Sequence, residues 1–158
     1  MGELAPSISS AIERMAQGAT RAQVDQLQAE LLKLPQYEPL TKHYFHGGML
    51  CREVWRDAGV LVVGKVHLKE HFYLIAQGTV QITTDTGVQE LTGPALMLSQ
   101  PGTKRAVLSL TPALCMTFHR TDALTIEDAE IDLVESDPNS MYGSGNKLKA
   151  QPAQEVLT

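Results

Sequence analysis

The sequence predicts a mainly β protein, an all-β sandwich or barrel with a helical extension before it and a short helix after it. Three observations predict it. From residue 39 to residue 120, short apolar stretches alternate with turn residues about every eight to twelve positions, the rhythm of an antiparallel sandwich or barrel. The flanking sections carry apolar residues at helical rather than strand spacing. No strand–helix–strand alternation occurs, which argues against a parallel nucleotide-binding sheet.

The chain divides accordingly into an N-terminal helical extension (1–38), a β-barrel (39–120), and a C-terminal helix with a polar tail (121–158). In the extension, Ser10 with Glu13 and Thr20 with Gln23 each fit a capping box, in which the hydroxyl and the longer side chain satisfy opposite ends of the first turn. Ile12 and Met15 share a face of the first predicted helix, which Gly18 ends. Val24, Leu27, Leu31 and Leu34 share a face of the second, which Pro35 ends. Such stripes either cover the open side of a sheet or pack on another subunit. The predicted strands are Leu50–Trp55, Val60–Val66, Phe72–Ala76, Thr79–Thr84, Val88–Leu91, Ala95–Leu98, Arg105–Leu110 and Leu114–His119. Ala58-Gly59, Gln77-Gly78, Asp85-Thr86-Gly87, Gly93-Pro94 and Pro101-Gly102 separate them as turns. Thr125 caps a helix from Ile126 to Glu135, with Ile126, Ala129 and Leu133 on one face and the acidic residues turned to solvent. From Ser136 the composition becomes polar, and that segment is expected to order on a partner.

Of 158 residues, 43% are hydrophobic and 20% charged, which is globular rather than disordered composition. The net charge of -5 argues against a broad phosphate-binding surface, so no nucleic acid is expected. No apolar run is long enough to span a bilayer, and the first residues lack a secretory pattern, so neither membrane nor secretion is expected. The only cysteines, Cys51 and Cys115, sit among apolar residues and read as reduced, inert thiols. There is no phosphate-binding glycine loop and no nucleophile elbow.

Chemistry is carried by the histidines. His67, His71 and His119 fall at or beside strand ends, and neutral imidazoles converging in an apolar barrel suit a divalent transition metal, Fe, Mn, Zn or Ni. Three protein ligands leave coordination positions open. If Thr111–Ala113 forms a hairpin loop, His119 lies opposite Arg105. Glu53 and Glu70 are candidates to orient the rings. His43 and His46 read as part of a surface strand, and Trp55, Phe72, Tyr73 and Phe118 as core.

The stretch from Gly59 through Lys65, His67 and His71 to Gly78 resembles the first cupin motif: glycine, five residues, His, one residue, His, three or four residues, Glu, six residues, glycine. Gly93 through Pro101-Gly102 to Arg105 is similar to the second motif. The resemblance covers residues 48–120 and implies a cupin-like jelly roll. It also maps the ligands. Lys65 stands at the first His, His67 keeps the second, His71 takes the Glu position and Arg105 the last His, with His119 as the replacement third ligand. Either the site is rebuilt around His67, His71 and His119, or the metal is lost and Lys65 and Arg105, balanced by Glu53, clamp an anionic small molecule. The runs Arg52-Glu53, Pro101-Gly-Thr-Lys-Arg105 and Phe118-His119-Arg-Thr also resemble small cupin-like proteins of tailed bacteriophages, implying a location in the host cytoplasm or the virion. The leading functional expectation is a non-enzymatic binding or assembly module. It would be a homo-oligomer, or would sit on virion proteins, through the N-terminal helices and C-terminal tail. A metal-dependent cupin enzyme and an anion sensor or sponge are the alternatives.

Overall fold

The computed structural model describes residues 18–149 together with Pro6, Ile8, Ser10 and Met15. The first predicted helix therefore falls largely outside the described residues, as does the tail beyond residue 149. Helix α1 spans Arg21–Leu31, capped as predicted: Thr20 accepts from Gln23 N–H and the Gln23 side chain accepts from Thr20 N–H. Nine strands follow: β1 (Leu40–His46), β2 (Met49–Arg56), β3 (Leu61–Val63), β4 (His71–Gln77), β5 (Thr79–Thr84), β6 (Gly87–Thr92), β7 (Ala95–Ser99), β8 (Ala106–Ser109) and β9 (Ala113–Arg120). Helix α2 (Ile126–Leu133), with Thr125 as its N-cap, and a short 3-10 turn (Ser144–Asn146) complete the elements.

The strands form two antiparallel sheets, β1-β2-β9-β4-β7 and β3-β8-β5-β6. Consecutive strands repeatedly switch sheets, which is jelly-roll wiring. Tyr73, Ile75, Val80, Ile82, Val107 and Cys115 fill the space between the layers. Gly78 permits one close crossing: its φ is +86°, and a Cβ there would stand 2.3 Å from the Pro112 carbonyl oxygen.

Helix α1 lies on the outer face of the smaller sheet. Val24, Leu27 and Leu31 are buried with Met15 against Val63 and Ala106, so these residues cover their own sheet, while Leu34, the last of the predicted stripe, is exposed beyond the helix end. Lys104 ties the helix down, its side chain 4% exposed and its ammonium 2.5 Å from Asp25 and 3.6 Å from Asp137.

Three expectations are corrected. β8 and β9 do not form a hairpin; β9 inserts between β2 and β4. The reason lies in residues 110–112: Leu110 and Thr111 N–H still bond Thr79 on the smaller sheet, and Pro112, lacking an N–H, ends that ladder before the chain crosses over. The strand predicted to Val66 stops at Val63. After Gly64 bonds Arg105 carbonyl, the chain leaves the ladder and His67 bonds Thr103 and Gly102 instead. Phe72 is 49% exposed rather than core, because Tyr73 takes the inward phase of β4. Leu40–His46 is a full edge strand.

Candidate metal centre

Strand alternation builds the site. In β9, Cys115, Thr117 and His119 share the inner face; in β4, His71, Tyr73 and Ile75 do so; in β2, Leu50, Arg52, Val54 and Arg56. The registers Leu50↔His119 and Phe72↔Phe118 bring His119 beside His71. The next row inward is Arg52, Thr117 and Tyr73. His67 comes from the segment before β4. Its N–H donates to Thr103 carbonyl (2.9 Å), and its own carbonyl accepts from Gly102 N–H (2.7 Å).

One ring nitrogen from each of His67, His71 and His119 lies within 4.8 Å of the other two. The ring centroids are 4.2 Å apart for His67–His71, 4.4 Å for His71–His119 and 5.1 Å for His67–His119. Ligands on a tetrahedral ion at about 2.05 Å stand about 3.3 Å from one another, so modest side-chain adjustment closes the group onto an ion. His67 Nδ1, His71 Nε2 and His119 Nδ1 are buried and have no hydrogen-bond partner among the described residues. Leaving such atoms unpaired is costly, and a bound ion would satisfy them. The rings are also neutral. Burial, followed by the neighbouring imidazoles and by Arg52 and Arg105, holds His67 well below the ordinary value of 6.5. Burial, then His71 and Arg52, pushes His119 down to about 3, and burial lowers His71 as well. At His71 the tautomer is fixed, because Nδ1 donates to Lys69 carbonyl (3.1 Å), which can only accept, and Nε2 keeps its lone pair. The donor set therefore fits a divalent transition metal.

A cavity of about 100 Å³ opens behind the cluster, lined by both cations predicted from sequence, Lys65 and Arg105. Arg105 Nη1 donates to Ser99 Oγ, and its guanidinium sits 5.6 Å from the centre of the Tyr73 ring. Glu53 is not brought to the site. It sits on the outer phase of β2 and accepts from Trp55 Nε1 at 2.9 Å. Glu70 is exposed, and the Lys69 carbonyl orients His71 in its place. His43 and His46, three apart on β1, point to opposite faces. His43 turns inward, where its Nε2 accepts from Arg52 Nε at 3.0 Å, and burial pushes it down to about 4.

Sequence reading missed Arg52, Arg56, Thr117 and Glu130. Glu130, assigned there to a solvated helix face, instead accepts from Arg52 Nη2 at 3.1 Å and from Gly145 N–H at 2.8 Å. The signal for the arginines was present: Arg52 and Arg56 keep the period-two phase of Leu50 and Val54, the buried residues of that strand.

No protein-family model and no curated protein matches the sequence. The chain is similar to a solved cupin superfamily protein from Desulfitobacterium hafniense, with 17% identity over 60% of this chain and 87% of that one and a TM-score of 0.47. It is similar to KdgF from a Halomonas species, with 14% identity, coverage of 52% and 80%, and a TM-score of 0.47. It is also similar to a variant of the salicylate 1,2-dioxygenase from Pseudoaminobacter salicylatoxidans, with 11% identity, coverage of 63% and 33%, and a TM-score of 0.48. Strand order, sheet pairing and the inward phase of β4 and β9 together describe a cupin-like β-sandwich with a cluster of three histidines in its interior.

Proposed function

We propose that the protein binds one divalent transition metal ion, Fe, Mn, Zn or Ni, through His67, His71 and His119, and presents it to a small ligand inside the barrel. The observation that carries this reading is the convergence of three neutral imidazoles, each with one buried ring nitrogen that has no hydrogen-bond partner among the described residues. When bound, such an ion polarises an oxygen of its ligand or of water. The chain's own part is to hold and enclose. Lys69 carbonyl aims His71, and residues 102–103 fix the His67 backbone. α2 covers the end of the barrel through Leu133 carbonyl, which accepts from Leu68 N–H at 2.8 Å. Elemental analysis of protein purified without a His tag tests the reading. About one equivalent is expected after reconstitution, falling below about a tenth in His71→Ala and His119→Ala. Wild-type protein that stays below a tenth with all four ions overturns it.

A second reading, assembly, is favoured by the outer face of the larger sheet. Leu40, Tyr44, Met49, Phe72, Leu96 and Leu98 are all exposed there, with Leu98 at 68%. Five strands at about 4.8 Å and six or so residues at about 3.3 Å make a face of roughly 500 Å² in projection. That is large for a monomer and approaches one side of a standard interface. Lys42 and Glu53 face each other across β1–β2, which leaves the surface largely apolar and self-complementary. We assign the occupant as a second copy of this chain, meeting sheet to sheet. A phage-type source would make that assembly virion-associated.

A further inference from the structure

We propose that the cavity behind the histidine cluster is a binding site for a small oxoanion, such as a short carboxylate, seated on Arg56, Tyr73 and Thr117. The site goes beyond the metal and stands without it. Nine buried side-chain nitrogen and oxygen atoms among the described residues have no hydrogen-bond partner, and six of them belong to residues lining this one cavity. Four of those six lie outside the imidazoles: Nε and Nη1 of Arg56, Tyr73 Oη and Thr117 Oγ1. Arg56 stands against Tyr73, and Tyr73 against Cys115, in contacts that fall outside hydrogen-bond geometry. Arg56, Tyr73 and Thr117 come from β2, β4 and β9, so neighbouring strands of one sheet aim them at a common space.

Charge points the same way. Arg52, Arg56 and Arg105 all line the cavity, and Glu130 is its only carboxylate among the described residues. Glu130 is committed to Arg52 and to Gly145 N–H. Among the described residues Arg56 and Arg105 have no carboxylate within ion-pair distance, Asp85 attracting Arg105 only from further off, and Tyr73 lies within the electrostatic reach of both arginines. A guanidinium enclosed without a counter-charge is strongly disfavoured. Its planar fork matches a carboxylate or another oxoanion, and two hydroxyls beside it supply further donors. The volume, about 100 Å³, holds roughly three waters. It suits an anion of few heavy atoms.

The test uses the full chain stripped of metal, titrated by calorimetry with acetate, oxalate and phosphate against chloride at equal ionic strength. Saturable binding of at least one oxoanion is expected. Preference for acetate or oxalate identifies a carboxylate site, and preference for phosphate a tetrahedral one. Arg56→Met is expected to weaken binding at least tenfold while keeping the wild-type metal content. Tyr73→Phe and Thr117→Val each remove one donor with little change of shape, and should weaken it several-fold even if Arg56→Met does not fold. No binding beyond chloride, or binding unchanged in these variants, overturns the proposal. Because metal content is measured separately, a failed metal reading and a failed anion reading give different results.

Discussion

Replacing Glu130 by Ala should destabilise the protein by about 3 kcal/mol. The carboxylate joins α2 to β2 by accepting from Arg52 Nη2, and joins α2 to the 3-10 turn by accepting from Gly145 N–H. The side chains of Arg52 and Glu130 are only 15% and 14% exposed. Truncation leaves a nearly buried guanidinium with the His43 ring as its remaining partner, and an amide with none. Breaking a buried pair from one side costs roughly 3–5 kcal/mol, and the residual exposure of this pair admits water and favours the lower end. For a domain of this size each kcal/mol moves Tm by about 2–4 °C, so melting should fall by roughly 6–12 °C. Calorimetric melts and urea midpoints measure it directly. The control is Arg52→Met combined with Glu130→Met, which removes both charges together and should recover most of the loss. If Glu130→Ala lies within about 1 kcal/mol of wild type, or the double variant is no better than the single, the pair does not hold α2 in the way described.

Acidification gives a second test. His119 is held at about 3 while the unfolded chain takes up protons near 6.5, so its contribution is complete above that value and is lost as pH falls toward 3. By pH 5 this ring alone costs about 2 kcal/mol, His67 acts in the same direction, and a urea midpoint of metal-free protein that is flat from pH 7 to pH 5 would contradict the burial of these rings. At the outer sheet face, Leu98→Lys should convert a dimer to a monomer by light scattering while the chain stays folded, since the side chain is 68% exposed on the single chain; a wild-type monomer at high concentration refutes the sheet-to-sheet assembly.

The strand core was legible because its buried residues keep period two and its turns carry Gly and Pro in the right places. The glycine frame from Gly59 to Gly78 was legible for the same reason, Gly59 and Gly78 both standing at a positive φ. Pairing was not legible. The order of β8 and β9 suggested a hairpin, and only the crossover at Pro112 shows that they belong to different sheets. His119 nevertheless faces inward, because its parity within β9 follows Cys115 and Thr117 rather than any register with Arg105. Glu53 was misplaced for a specific reason. In β2 both phases carry apolar residues, Leu50 and Val54 inside, Met49, Cys51 and Trp55 outside, so hydrophobicity alone cannot orient the strand. The apolar outer face that obscures the orientation is the same surface on which the sheet-to-sheet assembly is proposed. Arg52 and Arg56 were passed over because charge on a strand ordinarily marks the solvent side.

β9 is the last of the described strands in chain order, yet it forms the middle of the larger sheet, with β2 on one side and β4 on the other. Until residue 120 has emerged, both neighbours wait with bare ladder edges, and the nascent chain cannot assemble this layer from its N-terminus forward. Contacts of such long sequence separation form late and slowly, and open edges are the places where unfinished chains stick to one another. Protein made without chaperone help should therefore aggregate during synthesis far more readily than the finished molecule does.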